Sequence, residues 1–351
     1  MPLRTVQSVI NSLPSPGVKQ LPIPEYLADS NRTGGIMLAA REMEYHMTSE
    51  GWQLQLGFQH VGYPLYGHNF SRFYDTVDVS QIDAWANPQV VVIQDKREWH
   101  RMRGNPKDTS CAFRNLEHLK NHPDIFKVGV LKDAHHDAQF QINFANEAGI
   151  HTWLCYYHPR IVKHLAPYVR PEHLIRIYHS INQNEVPEYT PDDRKPCVIS
   201  GAASNWYPLR VRIINNLRTL PHVDYRQHPG YHLRGSSTPE FLQYLSGFKV
   251  AICTSSKLGY ALRKIIEATA CGCTVITDLP LDDQLPKIDC NLIRVSPDIS
   301  IGDLKQVIHD AVTNYDPQIQ KLFADAACEY YDYRTSGLRM MQSIENLRRG
   351  Y

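Results

Sequence analysis

The chain has 351 residues, 42% of them hydrophobic and 21% charged, with a formal net charge of +1. That is ordinary globular composition, and the length exceeds one comfortable core, so two domains are expected. The balanced charge provides no global field drawing the chain to nucleic acid or a membrane, leaving only local patches for such a role. No apolar run approaches the ~20 residues that span a bilayer, and the amino terminus lacks a basic segment followed by an apolar core. A soluble, cytoplasmic protein is the expectation. Eight cysteines, among them Cys253, Cys271 and Cys273, are scattered without zinc-knuckle spacing and read as free thiols of a reducing compartment.

In chain order, residues 1–30 are proline-containing and aperiodic. Ile36, Ala39, Ala40, Met43 and Met47 then fall at helical spacing, Gly51 can end that helix, and "WQLQLGF" alternates as a strand. Further strands are predicted at 89–95, 127–133, 151–157 and 174–180. They are apolar enough to want cover on both faces, as in a parallel sheet.

The polar, proline-containing stretch 181–196 reads as a linker. A second strand–helix series starts at "CVISG" (197–201), with Pro208 opening a helix and Thr238-Pro239 starting another. Strands "KVAICTS", "CTVITD" and "NLIRV" follow, then a helix at "IGDLKQVIHDAV" and a last helical stretch from about Ala324 to Arg349. The expected organisation is α/β: an amino-terminal domain over 1–180, the linker 181–196, a second domain over 197–333, and a terminal helix over 334–351 that crosses back to the first.

The stretch "YALRKIIEATACGCTVITDLP", Tyr260–Pro280, carries the most chemistry. Leu262, Ile265, Ile266, Thr269 and Ala270 form an apolar stripe, which puts Arg263, Lys264 and Glu267 on or beside the open face of a surface helix. Gly259 lies in the preceding loop and Gly272 can close the helix. Helix amino-terminal amides favour an anion, Lys264 adds charge, and Glu267 can accept hydrogen bonds from a ribose diol. An exposed ion pair of Glu267 with Arg263 or Lys264 is the alternative.

This stretch resembles the donor-site signature of GT-B glycosyltransferases, in which a basic residue stands three before the glutamate of "EAxAxGxxVI". Lys264, Glu267, Ala268, Ala270, Gly272, Val275 and Ile276 stand at those positions. "RTGGIMLAAREMEYHMTSEGWQL" is similar to the family's glycine-glycine loop and first helix, and "CVISGAASNWYPLR" to the first strand and loop of its second domain. The pieces span roughly residues 32 to 345 in the family's order. The resemblance implies two Rossmann-like doubly wound domains facing each other across a cleft. It also implies transfer of a hexosyl or pentosyl unit from a UDP- or GDP-linked sugar to a hydroxyl of a glycan, small molecule or modified nucleobase.

On that resemblance Gly34, Gly35, Arg210, His228, Gly259, Tyr260, Leu262, Lys264 and Glu267 are donor-binding, with Tyr231 beside His228 as a stacking surface for the base. The nucleotide sugar is then a co-substrate, with no further cofactor and no metal required. Many retaining members carry a second glutamate eight residues before the first; Gly259 stands there, which leaves the sugar and the stereochemical outcome open.

For the acceptor side, "VLKDAHHDAQ" places Asp133, His135, His136 and Asp137 after a strand, with Asp133 and His135 the candidate catalytic residues and a helix cap the alternative. Lys96, Arg97 and Trp99, in a basic loop with Arg101 and Arg103, are candidate acceptor contacts, for an anionic glycan or for DNA. A DNA-modifying glucosyltransferase, a sugar-nucleotide epimerase and a non-catalytic sugar-nucleotide-binding protein remain as alternatives.

Overall fold

The computed structural model describes residues 34–39, 49–67, 76–95, 113–135, 137–227 and 238–350. Short β-branched runs separated by helices give two parallel sheets. The first comprises β1 (Gly35–Leu38), β2 (Leu65–Tyr66), β3 (Val90–Ile93), β4 (Phe126–Leu131), β5 (Thr152–Cys155) and β6 (Leu174–Arg176), in the order β2-β1-β3-β4-β5-β6. Its helices are α1 (Ser49–His60), α2 (Val79–Ala86), α3 (Glu117–Lys120), α4 (Ala138–Ala148) and α5 (Pro159–Leu165).

The second sheet comprises β7 (Lys195–Gly201), β8 (Val223–Gln227), β9 (Phe248–Ile252), β10 (Thr274–Thr277) and β11 (Leu292–Arg294), in the order β11-β10-β9-β7-β8. It carries α6 (Pro208–Asn215), α7 (Thr238–Leu245), α8 (Arg263–Ala270) and α9 (Ile301–Thr313). Its faces are both buried, since successive strand residues point to opposite sides. Val198, Ala251 and Val275 enter one core, while Ile199, Ile252 and Ile276 enter the other. In each sheet the first strand lies between the second and third. The winding therefore reverses there, which opens a crevice at the carboxyl ends of β1 and β3, and of β7 and β9.

One prediction is reversed. Gly35–Leu38 is a strand, and "WQLQLGF" lies inside α1. The alternation of glutamine with leucine misled because α1 has no solvated side over these residues: Gln53 and Gln55 are buried together with Leu54, Leu56 and Phe58. Gln55 donates to the side chain of Gln94, just past β3, at 3.2 Å.

The terminal helical stretch is also two helices, α10 (Pro317–Tyr331) and α11 (Tyr333–Arg349), parted at Asp332. The Asp332 carboxylate caps α11 by accepting from the Arg334 amide at 2.9 Å, and it accepts from the Gln183 amide at 3.0 Å. Ile181 exchanges backbone hydrogen bonds with Tyr331 and Tyr333. The two passages of the chain between the sheets thus lie side by side. α11 then packs against α1, where a Cβ on Gly337 would collide with the Gly57 carbonyl oxygen. No helix among the described residues is long and apolar enough to cross a membrane.

Candidate functional site

The carboxyl edges of the two sheets face each other. Tyr157 follows β5, Tyr260 lies in the loop between β9 and α8, and their rings stack at 4.0 Å between centroids. His135, past β4, packs its ring 4.7 Å from that of Trp206 in the loop after β7. Arg160 of α5 pairs with Asp282 at 2.6 Å, and Arg176 pairs with Asp283. Tyr157 is the hub on the first side: its hydroxyl donates to Asp133 Oδ1 at 3.3 Å and lies 2.8 Å from His135 Nδ1. With the hydroxyl donating to Asp133, the His135 contact places a proton on Nδ1. The two predicted catalytic residues are thereby joined through Tyr157, while Asp137 is the helix cap of α4, accepting from the Phe140 amide.

The opposing edge is cationic. Gly201 ends β7 with φ +124°, and a Cβ there would stand 2.5 Å from Arg210 Nη1 and 2.9 Å from Lys264 Nζ. Arg210 comes from α6, after β7, and Lys264 from α8, after β9, so the two cations flank the winding reversal of the second sheet. Arg210 is 3% exposed; its Nε donates to Thr254 Oγ1 at 3.1 Å and its guanidinium lies 3.9 Å from the Tyr207 ring centroid. Burial, and next the Arg210 charge, lower the pKa of Lys264 to about 8 against the opposing pull of Glu267. Burial also raises the Asp278 carboxyl, whose charge interacts with Arg210 and which accepts from the Ser255 amide. Leu262 precedes α8 in extended conformation and gives no side-chain cap to its amides. Two clustered cations and a helix start without a side-chain cap concentrate positive charge where burial makes it costly.

Several predicted positions are corrected. α8 is not a surface helix: Ile265 to Ala270 are all buried, because α10 and α7 pack against it as well as β10. Glu267 is 5% exposed and pairs with Arg263 at 3.1 Å, so the ion pair forms in a largely dry setting. Glu185 of the linker joins this cluster; burial raises its pKa, with Arg263 pulling it down and Glu267 pushing it up.

Gly34 and Gly35 are not at the cleft edge. Gly35 opens β1 beside the Tyr63 ring, and a parallel strand that starts there points its other end at the crevice. Tyr260 is buried in the core of the first lobe, and Leu262 is packed against that same core. Gly259 has φ +66°, and a Cβ there would press on Pro280 at 3.0 Å, so the backbone itself disfavours the glutamate that the motif carries. Lys96, Arg97, Trp99, Arg101, Arg103, His136, His228 and Tyr231 lie outside the described residues. Tyr157, Trp206, Thr254 and Asp278 were not singled out from sequence. A strand followed by polar or aromatic residues at its carboxyl end was the available signal for Tyr157, Thr254 and Asp278.

No family model matches the chain, and no curated protein does. Solved structures do. AviGT4, a glycosyltransferase involved in avilamycin A biosynthesis, is 12% identical, with a TM-score of 0.53 over 90% of this chain and 98% of its own. A glycosyltransferase from Rickettsia africae ESF-5 is 11% identical, with a TM-score of 0.57 over 92% and 100%. The chain has the GT-B fold. Anabaena Alr3699/HepE in complex with UDP shares that GT-B fold at 12% identity and a TM-score of 0.52, over 90% of this chain and 100% of that one. In this arrangement the Arg210–Lys264 pair and the Asp133–Tyr157–His135 group come from opposite lobes.

Proposed function

We propose that this chain is a glycosyltransferase that moves a sugar from a nucleotide diphosphate sugar, UDP- or GDP-linked, to an acceptor hydroxyl. The observation that carries the reading is the convergence of Arg210 and Lys264 above Gly201, beside the uncapped start of α8. A diphosphate leaving group develops negative charge as the glycosidic bond breaks, and preorganised cations and amides stabilise that charge most where water is scarce. The similarity to solved glycosyltransferases, one with UDP bound, supports the same reading.

In this scheme Arg210 and Lys264 hold the diphosphate and Glu267 accepts from the ribose diol, with Arg263 orienting its carboxylate. On the acceptor side, His135 and Asp133, joined through the Tyr157 hydroxyl, are the groups that take up the acceptor's proton and stabilise the charge that forms. The side-chain cations carry the leaving-group charge, so turnover is expected to be unchanged by a chelator. Purified chain is incubated with UDP- and GDP-sugars and a panel of hydroxyl acceptors, and nucleotide release is followed. Acceptor-dependent release that Arg210→Ala and Lys264→Ala both abolish supports the reading. Release without any acceptor indicates a hydrolase instead, conversion of the sugar nucleotide without net release indicates an epimerase, and full turnover in both variants rejects the diphosphate assignment.

A further inference from the structure

We infer that Asp83, His118 and His122 form a binding site for a transition-metal ion of the zinc class on the first lobe, remote from the cleft. Their potential ligand atoms all lie within 4.8 Å of one another, and His118 Nε2 is 2.8 Å from Asp83 Oδ2. The two imidazoles lie side by side, 4.2 Å between centroids. Tetrahedral zinc with bonds of about 2.0–2.1 Å separates neighbouring ligand atoms by about 3.3 Å, a spacing these side chains reach by small rotations. Two imidazoles and one carboxylate suit zinc, cobalt or nickel better than magnesium or calcium, which prefer oxygen.

The backbone around the three residues is fixed independently of any ion. Asp78 caps α2 by accepting from the Ser80 and Gln81 amides, and the Asn115 side-chain amide donates to both of its carboxylate oxygens. Arg114 and Asp78 pair as an isolated bridge, which lays the segment carrying the histidines alongside α2. His118 lies in α3 and His122 just beyond it, four residues on, and both present their rings on the side where Asp83 stands. The buried Lys127 ammonium donates to the His122 carbonyl at 2.6 Å and holds that residue in place.

The side chains of His118 and Asp83 are 25% and 17% exposed, enough for an ion to enter and retain water as a fourth ligand. α2 and α3 precede the amino ends of β3 and β4, whereas Tyr157 and Arg210 follow the carboxyl ends of β5 and β7. The ion therefore has a clamping role, joining segments 35 residues apart, and takes no part in sugar transfer.

The full-length chain is stripped with a chelator, exchanged against Zn2+, desalted and assayed for bound zinc and for melting temperature. The expected result is about one equivalent of zinc retained, with a rise in melting temperature. Loss of about tenfold or more in affinity is expected in Asp83→Asn and in the His118→Ala/His122→Ala double variant. His122→Gln, close in size, serves as the variant least prone to misfold. Co2+ in the wild-type chain should give the intense visible absorption of a tetrahedral site. Absence of retained zinc in the wild type overturns the inference, as does equal retention in the variants, which would place the ion on other histidines. Transfer activity insensitive to zinc separates this result from the fate of the glycosyltransferase reading.

Discussion

Tyr260, in the loop leading to α8 of the second lobe, stacks its ring 4.0 Å from that of Tyr157 and is buried in the core of the first lobe. The lobes are therefore joined at the same place where their candidate reactive groups meet. Tyr260→Ala should remove roughly 3 kcal/mol of stability, in the range for deleting a buried aromatic, read as a lower midpoint in urea unfolding. A loss below about 0.5 kcal/mol would mean that the ring does not bridge the lobes in solution.

Gly201 is the floor beneath both cations. Gly201→Ala places a methyl group 2.5 Å from Arg210 Nη1 and 2.9 Å from Lys264 Nζ, so one or both must move. Affinity for a nucleotide sugar should fall by about tenfold or more, the effect of one lost charge-assisted contact. Calorimetry with UDP-glucose and GDP-mannose measures it, with circular dichroism reporting an intact fold. Unchanged affinity for whichever sugar the wild type binds would place the diphosphate elsewhere.

Lys264 sets a pH limit. With its pKa lowered to about 8 from 10.5, the free protein loses the ammonium proton above pH 8, whereas a bound diphosphate stabilises the ammonium and raises that pKa. Binding then takes up a proton, so affinity should be flat below pH 8 and weaken above it, approaching tenfold per pH unit. A nucleotide sugar is the ligand of choice because its diphosphate does not titrate in this range. Lys264→Arg should abolish the bend; a bend that persists belongs to another group.

Glu267 is costly to remove for two reasons. Its carboxylate faces Arg263 Nε at 3.1 Å in a largely dry pocket, where neither Nε nor Nη2 of Arg263 makes a hydrogen bond among the described residues. Glu267→Ala should cost about 1–3 kcal/mol as well as nucleotide affinity. Glu267→Gln, which preserves shape, should retain most of the stability and still bind the nucleotide more weakly, as seen by paired unfolding and calorimetric titrations. Full affinity in the Gln variant would remove Glu267 from the ribose.

Gly259 stands where a second glutamate is expected. At φ +66° a side chain costs about 1–2 kcal/mol in backbone energy alone, and Pro280 is 3.0 Å from the new Cβ. Gly259→Glu should therefore lower the melting temperature without increasing the transfer rate. A stable variant with faster turnover would show that the loop accommodates the missing carboxylate.

Much of the second lobe was legible. "TPEFLQYL" forms the helix α7 over its whole length, and the apolar runs at Phe248–Ile252 and Thr274–Thr277 are strands covered on both faces. Arg210 and Lys264, 54 residues apart in sequence, converge because parallel winding brings the ends of β7 and β9 together. Local periodicity fails where tertiary cover overrides it. Gln53 and Gln55 are buried by packing against elements distant in sequence, so their alternation with leucine imitates a strand. Glu267 has the same history: helical spacing sets it off the apolar stripe, and elements distant in sequence, α10 among them, pack against α8 and leave Glu267 buried. Tyr157 and Trp206 acquire significance only when the lobes are opposed, a relationship that no window of sequence contains.

The contact between Gly57 and Gly337 has a consequence for dissecting the chain. The carboxyl-terminal residues complete the covering of α1, whereas the strands they follow belong to the other sheet. Expressed without that strap, a fragment ending at the linker would present a bare helix flank and tend to self-associate.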